Sequence, residues 1–340
     1  MAPHSSGRIW AVKRVAINGW FWDSPTTGSG QYTRRLIEQL SSTSPDLDVV
    51  LVPAGSGRSN LAKVWFEQVG FPQACRRLGA DVAHVPYWAP PLQPTVPTVV
   101  TIHDLIPLVL PEYRGGPLVR LYSSLASSAS RRAALVLADS RASRRDVISR
   151  LRVPESKVRT VYLAAGAEFS TTSGPDDFSV RERYHLPERY LLYLGGFDVR
   201  KNVATLFSAY AQARPELGDE CPLVVCGRLP SEDRRLEPNP RRLAADLGLA
   251  DKAVLFTGFV EEAEKPALYR GAVALAFPSR YEGFGLPPLE AMACGTPVVS
   301  SDAASLPEIV GKRGILVAPD DVLGLSQAFL RVAGDRGYRE

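Results

Sequence analysis

The sequence predicts an α/β chain made of two doubly wound, Rossmann-like domains, each with a parallel sheet. Three observations predict it. Short apolar runs alternate with amphipathic stretches from one end of the chain to the other. Most of these runs are apolar throughout, as strands buried on both faces are. The series is interrupted once, by the polar stretch STTSGPDDFS from Ser170 to Ser179, and then begins again. The 340 residues are enough for two domains of ordinary size, and 45% hydrophobic with 22% charged residues is a globular composition.

Taken in order, the first series opens with Arg14 to Trp20 as a strand. TRRLIEQLSS from Thr33 follows as a helix with Leu36, Ile37 and Leu40 on one face. DVVLVPA from Asp48, DVAHVPY from Asp81, TVVTIHD from Thr98 and AALVLADS from Ala133 read as strands. RASRRDVISRL is then a helix with Ser140 as its N-cap, and KVRTVYLA from Lys157 closes the series. The second series begins with the strand YLLYLGG from Tyr190 and the helix NVATLFSAYAQA. It continues with strands PLVVCG, AVLFTGF, ALAFPS, TPVVSSD and GILVAP. Between and after them lie helices RRLAADLG, PALYRGA, LPPLEAMACG and DVLGLSQAFLRVAG. The expected domains are 1–172 and 186–340, with 173–185 as linker.

Composition excludes several classes. Net charge is only +4, so nucleic-acid binding is not implied. Cys75, Cys221, Cys226 and Cys294 lack CxxC spacing, which argues against zinc ribbons and thioredoxin chemistry and fits reduced thiols in a cytoplasmic protein. The N-terminal stretch lacks the apolar run of a signal peptide. No segment approaches the roughly 18 apolar residues of a membrane span. Membrane contact, where it occurs, is therefore expected to be peripheral. The basic residues Arg131, Arg132, Arg141, Arg144, Arg145, Arg150 and Arg152 could rest on anionic lipid. A solvated helix face is preferred, since Asp139, Asp146 and Glu155 dilute the charge. Asp46-Leu47-Asp48 has the D-x-D form of some metal sites but sits in a polar turn, and His84 and His103 lack companion ligands, so no metal is expected.

In doubly wound sheets ligands bind beyond the carboxyl ends of the strands. The loops after Trp20, Ile102, Leu194, Val225, Phe256 and Phe277 therefore carry the interest. The last of these, with the helix after it, reads EGFGLPPLEAMACGTP from Glu282 to Pro297. Gly283 and Gly285 allow close backbone approach to a ligand, and Pro287 and Pro288 suit the first helical positions. Gly295 suits the helix end, which places Glu290 in the first helical turn. Free N–H groups at a helix start suit a diphosphate, and carboxylates accept bidentately from vicinal hydroxyls. Either acid alone is equally a helix-dipole partner or a solvated loop acid. After Leu194 comes GGFDVRKN, whose Arg200 and Lys201 are the cations a diphosphate needs. VTIHDLIP ends a strand at His103, and GSGQYT from Gly28 is a glycine-rich loop opening a helix.

Together these segments resemble family 4 (group 1) retaining glycosyltransferases of the GT-B fold, whose two domains face a cleft. The resemblance covers nearly the whole chain. It implies that Glu282 contacts the donor sugar and Glu290 the ribose, with donor contacts also at Gly283, Phe284, Gly285 and Leu286. Lys201 matches the family's phosphate-binding lysine. Many relatives carry arginine where this chain has Gly196, and Arg200 is expected to substitute. His103 is expected to orient the sugar or stabilise charge, with Gly30 on the donor side and Arg228 and Val260 around the base or ribose. The implied reaction is metal-independent and needs no cofactor, only a nucleotide-sugar co-substrate. The acceptor is expected in the N-terminal domain, as a saccharide or lipid-linked saccharide. The motif set is most similar to bacterial mannosyltransferases of cell-surface polysaccharide synthesis, which makes GDP-mannose the leading donor and a UDP-sugar its rival. A sugar-nucleotide 2-epimerase and a non-catalytic partner of another transferase are the alternatives. Such relatives finish with helices that return to the N-terminal domain. This sequence stops at Glu340, which fits a naturally short protein or a fragment.

Overall fold

The computed structural model describes residues 13–55, 59–249 and 252–335. The N-terminal stretch before Lys13 and the last residues, Tyr338 to Glu340, lie outside them. The chain divides into two compact units between Val161 and Tyr162.

Unit 1 runs β1 (Lys13–Gly19), α1 (Gly28–Thr43), β2 (Leu47–Pro53), α2 (Asn60–Trp65), a π-turn (Phe66–Gly70) and α3 (Phe71–Arg77). It continues with β3 (Val82–Val85), β4 (Thr98–Ile102), α4 (Ile106–Val109), α5 (Pro117–Ser130), β5 (Leu135–Ala138), α6 (Arg141–Leu151) and β6 (Val158–Thr160). Its six strands lie in the order β2-β1-β3-β4-β5-β6, every pair parallel. The expected cap of α6 is present, with Ser140 Oγ accepting from the Ser143 N–H at 2.9 Å. Asp48, from the D-x-D turn, is ion-paired with Arg14 at 2.5 Å.

Unit 2 begins ahead of its first strand. Tyr162 donates to Glu308 at 3.1 Å, Phe169 lies 6.0 Å from the Tyr269 ring, and Arg270 bonds the Ser170 carbonyl at 3.1 Å. Within the stretch expected as linker, residues 173–185, lies the helix α7 (Asp177–Arg183). Asp177 forms a bidentate ion pair with Arg270, and Val180 is buried. Polar composition suggested a linker. Those polar groups instead satisfy unit 2, so the boundary falls earlier than residue 172.

The rest of unit 2 is β7 (Leu191–Leu194), α8 (Val203–Leu217), β8 (Leu223–Cys226), α9 (Pro240–Asp246), β9 (Val254–Gly258), α10 (Lys265–Gly271) and β10 (Ala274–Phe277). Then come α11 (Leu286–Ala293), β11 (Val298–Ser301), α12 (Leu306–Val310), β12 (Ile315–Val317) and α13 (Val322–Gly334). The sheet order is β12-β11-β10-β7-β8-β9, again all parallel. Every residue of β7, β8, β10 and β11 is buried; the first three are unbroken apolar runs, and in β11 the buried Ser300 and Ser301 hydroxyls donate to the carbonyls of Phe277 and Ser279. Phe207 of α8 and Phe329 of α13 are fully enclosed on one face of the sheet, each contributing roughly 1.5–3 kcal/mol by its burial. The four cysteines are buried free thiols.

Each sheet has one point where the chain changes direction. In unit 1 it passes from β1 to β2 on one flank, then to β3 on the other. In unit 2 it passes from β7 outward to β8 and β9, then to β10 on the opposite flank of β7. The loops leaving β1 and β3, and those leaving β7 and β10, diverge around crevices where doubly wound sheets hold ligands. Among the described residues no helix is long and apolar enough to cross a membrane.

Candidate functional site

The crevice between β7 and β10 gathers the charged residues of unit 2. The chain leaves β7 through Gly195 and makes one tight turn, Val199–Lys201. That turn is fastened by Asn202, in the left-handed region at φ 59°, which asparagine tolerates better than most residues. Its amide donates to the carbonyls of Pro278, at 3.1 Å, and Pro319, at 2.6 Å, and its own oxygen accepts from Thr205 at 2.9 Å. The Arg280 N–H donates to the Arg200 carbonyl at 2.7 Å. The loops after β7 and β10 are thus stitched together, and the side chains of Arg200 and Lys201 are aimed at Glu282.

Lys201 Nζ lies 2.7 Å from Glu282 Oε1, and Arg200 Nη1 lies 2.8 Å from Oε2. Arg200 Nε also pairs with Asp198 Oδ1 at 3.1 Å. Lys201 stands 5.1 Å from the centre of the Phe277 ring. Burial alone would raise the Glu282 pKa, but Lys201 and Arg200 overcome it and hold the carboxyl below its ordinary value. Two cations face two carboxylates, Glu282 and Asp198, so the cluster is neutral as it stands. Ser305 donates to the carbonyls of Glu282, at 2.9 Å, and Phe284, fixing the loop between them. Gly285 has φ 121°, and a Cβ there would lie 2.9 Å from Leu306 Cδ2, so this glycine is required.

Glu290 lies elsewhere on the same segment and behaves differently. The helix α11 starts at Leu286, with Pro287 and Pro288 just inside it, so Glu290 falls beyond the first turn where the sequence placed it. Its carboxyl is buried and accepts from the Tyr269 hydroxyl at 2.9 Å. Burial raises its pKa against the opposing pull of Lys265. One acid of the pair is therefore held ionised and the other is pushed toward its neutral form. Gly295 follows the helix at φ 73°, as its expected role as terminator requires.

Two further residues stand at neighbouring strand ends. Arg228, after β8, has its guanidinium 5.2 Å from the Phe259 ring. Val260, after β9, is buried in the apolar cluster with Leu268 and Tyr269, so only its backbone can face a ligand.

His103 and Gly30 belong to unit 1. His103 follows β4, its Nδ1 2.7 Å from Asp139 Oδ2 and its Nε2 3.1 Å from the Pro86 carbonyl. Tyr32 packs edge-on against it at 4.7 Å and shares a hydrogen bond with Thr101 Oγ1 at 3.1 Å. His84 Nε2 reaches the same hydroxyl at 2.8 Å. Burial would lower the His103 pKa, but Asp139 and then Asp104 reverse that and raise it. With an acceptor at each ring nitrogen, the arrangement is that of an imidazolium donating twice. His84, buried beside this charge, is pushed down to about 4. Asp139 is therefore no solvated face residue: it is 3% exposed and serves His103. The Gly30 N–H is taken by the Thr27 side chain at 3.2 Å, and a Cβ at Gly30 would overlap the Ser24 carbonyl oxygen. Its glycine is needed to pack α1 against the loop after β1.

The structure therefore joins Arg200, Lys201 and Glu282 and sets the Gly283–Leu286 backbone beside them. Sequence reasoning missed Asn202, Asp198 and Asp139. Only Asn202 left a signal, as an asparagine directly after two basic residues at a helix start.

Two family models match the chain. Residues 26–165 match the model described as Glycosyltransferase Family 4, and residues 188–335 match Glycosyl transferases group 1. Among curated relatives, the O-antigen chain mannosyltransferase B of Escherichia coli is 34% identical over 243 residues, 71% of this chain and 62% of that protein. The serotype-specific mannosyltransferase WbdA of Escherichia coli is 34% identical over 72% of this chain and 30% of its own length. The MMP alpha-(1->4)-mannosyltransferase of Mycolicibacterium hassiacum is 31% identical over 77% of this chain and 63% of its own. The chain thus spans less than two thirds of each of these relatives. Among solved structures, sucrose-phosphate synthase from Thermosynechococcus elongatus superposes with TM-score 0.72 at 23% identity, over 96% of this chain and 91% of that one. WaaG, a glycosyltransferase involved in lipopolysaccharide biosynthesis, gives 0.70 at 17% identity, over 96% and 92%. These two likenesses establish the GT-B architecture.

Proposed function

The chain belongs to the family 4 (group 1) glycosyltransferases, and from that membership we propose that it transfers a hexose from a nucleoside-diphosphate sugar. The donor is GDP-mannose and the acceptor a saccharide or lipid-linked saccharide of cell-surface polysaccharide synthesis. Three relatives named as mannosyltransferases support the choice of sugar. The observation that carries the reading is the Arg200–Lys201–Glu282 cluster at the β7/β10 crevice.

In this reading the donor diphosphate takes over Arg200 and Lys201, and Glu282 is released to the sugar hydroxyls. The bond from the anomeric carbon to the β-phosphate oxygen breaks through an oxocarbenium-like transition state. The two cations stabilise the charge that develops on the departing diphosphate, an electrostatic effect of the kind that dominates many enzyme rates. The acceptor hydroxyl attacks from the face the diphosphate leaves, its proton passes to that phosphate, and configuration is retained. No step calls for a metal or a resident cofactor. Glu290, buried and hydrogen-bonded by Tyr269, contacts the ribose. The His103 imidazolium, fixed by Asp139 and the Pro86 carbonyl, acts through its charge and orientation.

A lipid-linked acceptor would be met at the cytoplasmic face of a membrane. In unit 1, α5 exposes Leu118, Val119, Leu121 and Leu125, with Arg114 and Arg120 alongside. Apolar side chains rimmed by arginine suit peripheral contact with anionic lipid. The test of the function is a donor screen with wild type and Glu282→Ala: GDP-mannose, UDP-glucose, UDP-N-acetylglucosamine and UDP-galactose, read by hydrolysis and by sugar products. Turnover of GDP-mannose, lost in Glu282→Ala, is expected. A UDP-sugar as the preferred donor would overturn the donor assignment. Epimerised sugar from donor alone would replace the transferase reading.

A further inference from the structure

We propose that the second crevice, between β1 and β3 of unit 1, is a saccharide-binding subsite built from Lys63, Glu67 and Asn18. It rests on the transferase reading and supplies the acceptor side of it. The topology itself points there, because this is the change-of-direction point of the unit 1 sheet, as the β7/β10 crevice is of unit 2.

Three groups meet at that point with hydrogen-bonding capacity unspent. Asn18, next to last in β1, is fully buried. Its oxygen accepts from the Trp20 N–H at 3.0 Å and the Tyr87 hydroxyl at 3.2 Å, which fixes the orientation of the amide. Its NH2 is left buried with no acceptor, a costly state for a polar group. Lys63, on α2, holds its ammonium among three rings: Phe21 at 5.3 Å, Tyr87 at 5.4 Å and Tyr122 at 5.5 Å. Its carboxylate neighbour is Glu67 Oε1 at 3.7 Å, beyond hydrogen-bond length. The Lys63 side chain is 25% exposed, so a ligand can reach it. Glu67 itself is fully buried and accepts from the Tyr122 hydroxyl at 3.2 and 3.0 Å. Burial raises its pKa to about 7, even against Lys63 and the two tyrosines. It also sits on the π-turn, a helix irregularity that occurs often at functional sites.

These demands select a ligand chemistry. The Asn18 NH2 lacks an acceptor, Lys63 has Glu67 beside it at 3.7 Å rather than at hydrogen-bond length, and the Glu67 carboxyl, with about four acceptor sites, can take a further donor besides Tyr122, Tyr87 and Lys63. A sugar hydroxyl accepts and donates at once, so it can take a Lys63 N–H while donating to Glu67. A phosphate supplies acceptors only, and would face the Glu67 carboxyl. The flanking Phe21, Tyr87 and Tyr122 rings give the apolar lining that pockets with a few convergent polar groups commonly have.

The test uses the full chain as wild type, Lys63→Met and Glu67→Gln. Methyl α-mannoside binding is measured by saturation-transfer NMR and GDP binding by calorimetry on the same preparations. Each variant is expected to weaken the mannoside about tenfold or more, the loss of a charge-assisted hydrogen bond, with GDP affinity within about twofold of wild type. Retained GDP binding also reports that each variant is folded. Mannoside binding that is absent in wild type, or equal in all three proteins, would overturn the subsite. Lys63-dependent binding of inorganic pyrophosphate without binding of the mannoside would overturn the saccharide assignment. Loss of GDP binding in wild type would instead strike the donor reading, leaving the mannoside comparison to judge the subsite by itself.

Discussion

Replacing Glu282 by glutamine keeps the shape of the side chain and removes the charge that Arg200 and Lys201 share. All three side chains are 11–18% exposed, so both cations lose their partner in a poorly hydrated place. Breaking a buried pair costs about 3–5 kcal/mol. Partial exposure and the surviving Arg200–Asp198 contact bring this to about 2–3 kcal/mol. For a unit of this size that is a drop of roughly 5–10 °C in the unfolding midpoint. The sign with pH follows from the depressed Glu282 pKa. The stabilisation is present above the ordinary carboxyl value of 4.5 and is lost as pH falls through the folded value, so wild type and variant converge in acid. Added GDP supplies the missing negative charge, so it should protect the variant at least as strongly as the wild type. Turnover should nonetheless fall by about a hundredfold or more, since the sugar loses its carboxylate. Calorimetric melts with and without GDP, at pH 7.5 and near pH 4, read every part of this. A variant that melts within about 1 °C of wild type, or that GDP protects less, would show that Glu282 does not hold the two cations in reserve.

Three further predictions concern unit 1. In Asp139→Asn, the His103 pKa should fall, as followed by NMR of the imidazole nitrogens; an unmoved value would refute the role of Asp139. Because the folded His103 pKa is raised above 6.5, the stability it lends is complete below 6.5 and fades as pH rises through the folded value, and the variant should lose that dependence. Glu67→Gln removes a carboxyl whose pKa rises from 4.5 to about 7. Folding favours its protonated form, so wild type loses about 3 kcal/mol between those values and the variant does not; urea unfolding at pH 5 and pH 8 measures the difference. Gly30→Ala should cost about 3 kcal/mol, because its Cβ meets the backbone carbonyls of Ser24 and Phe21. A melting point unchanged by this substitution would mean the loop yields freely.

Strands were legible because parallel strands between helix layers leave no face for polar residues, and LLYL, LVVC and ALAF are buried at every position. The missed helices had reasons. In α5 the inward face is Ser123, Ala126, Ala129 and Ser130, while the leucines face outward, so apolar periodicity marks the wrong side. Across α2 and α3 the buried Phe66 and Phe71 stand five apart, a spacing that fits neither helix nor strand. The site was legible as far as it follows strand ends, hence Lys201, Glu282 and His103. What fixes those residues was not. Asp139 reaches His103 across 36 positions of chain, and Asn202 acts through carbonyls of two distant loops. Pairings of that kind leave no local pattern.

The π-turn has a consequence for how this protein tolerates change in length. Five residues around a regular helix would turn Phe71 about 140° away from Phe66. The wide turn brings the two rings to 6.1 Å, with Trp20 at 5.9 Å from Phe66 on the other side. Removing a single residue between 66 and 70 would let the hydrogen bonds relax to ordinary helical spacing. Phe66 and Phe71 would then stand four apart, about 40° around a regular helix, so both rings would keep their face and α3 its phase. Adding a residue is the harmful change: a further turn of about 100° would carry Phe71 and Cys75 away from the core. The segment bearing Lys63 and Glu67 can therefore shorten by one residue more easily than it can lengthen.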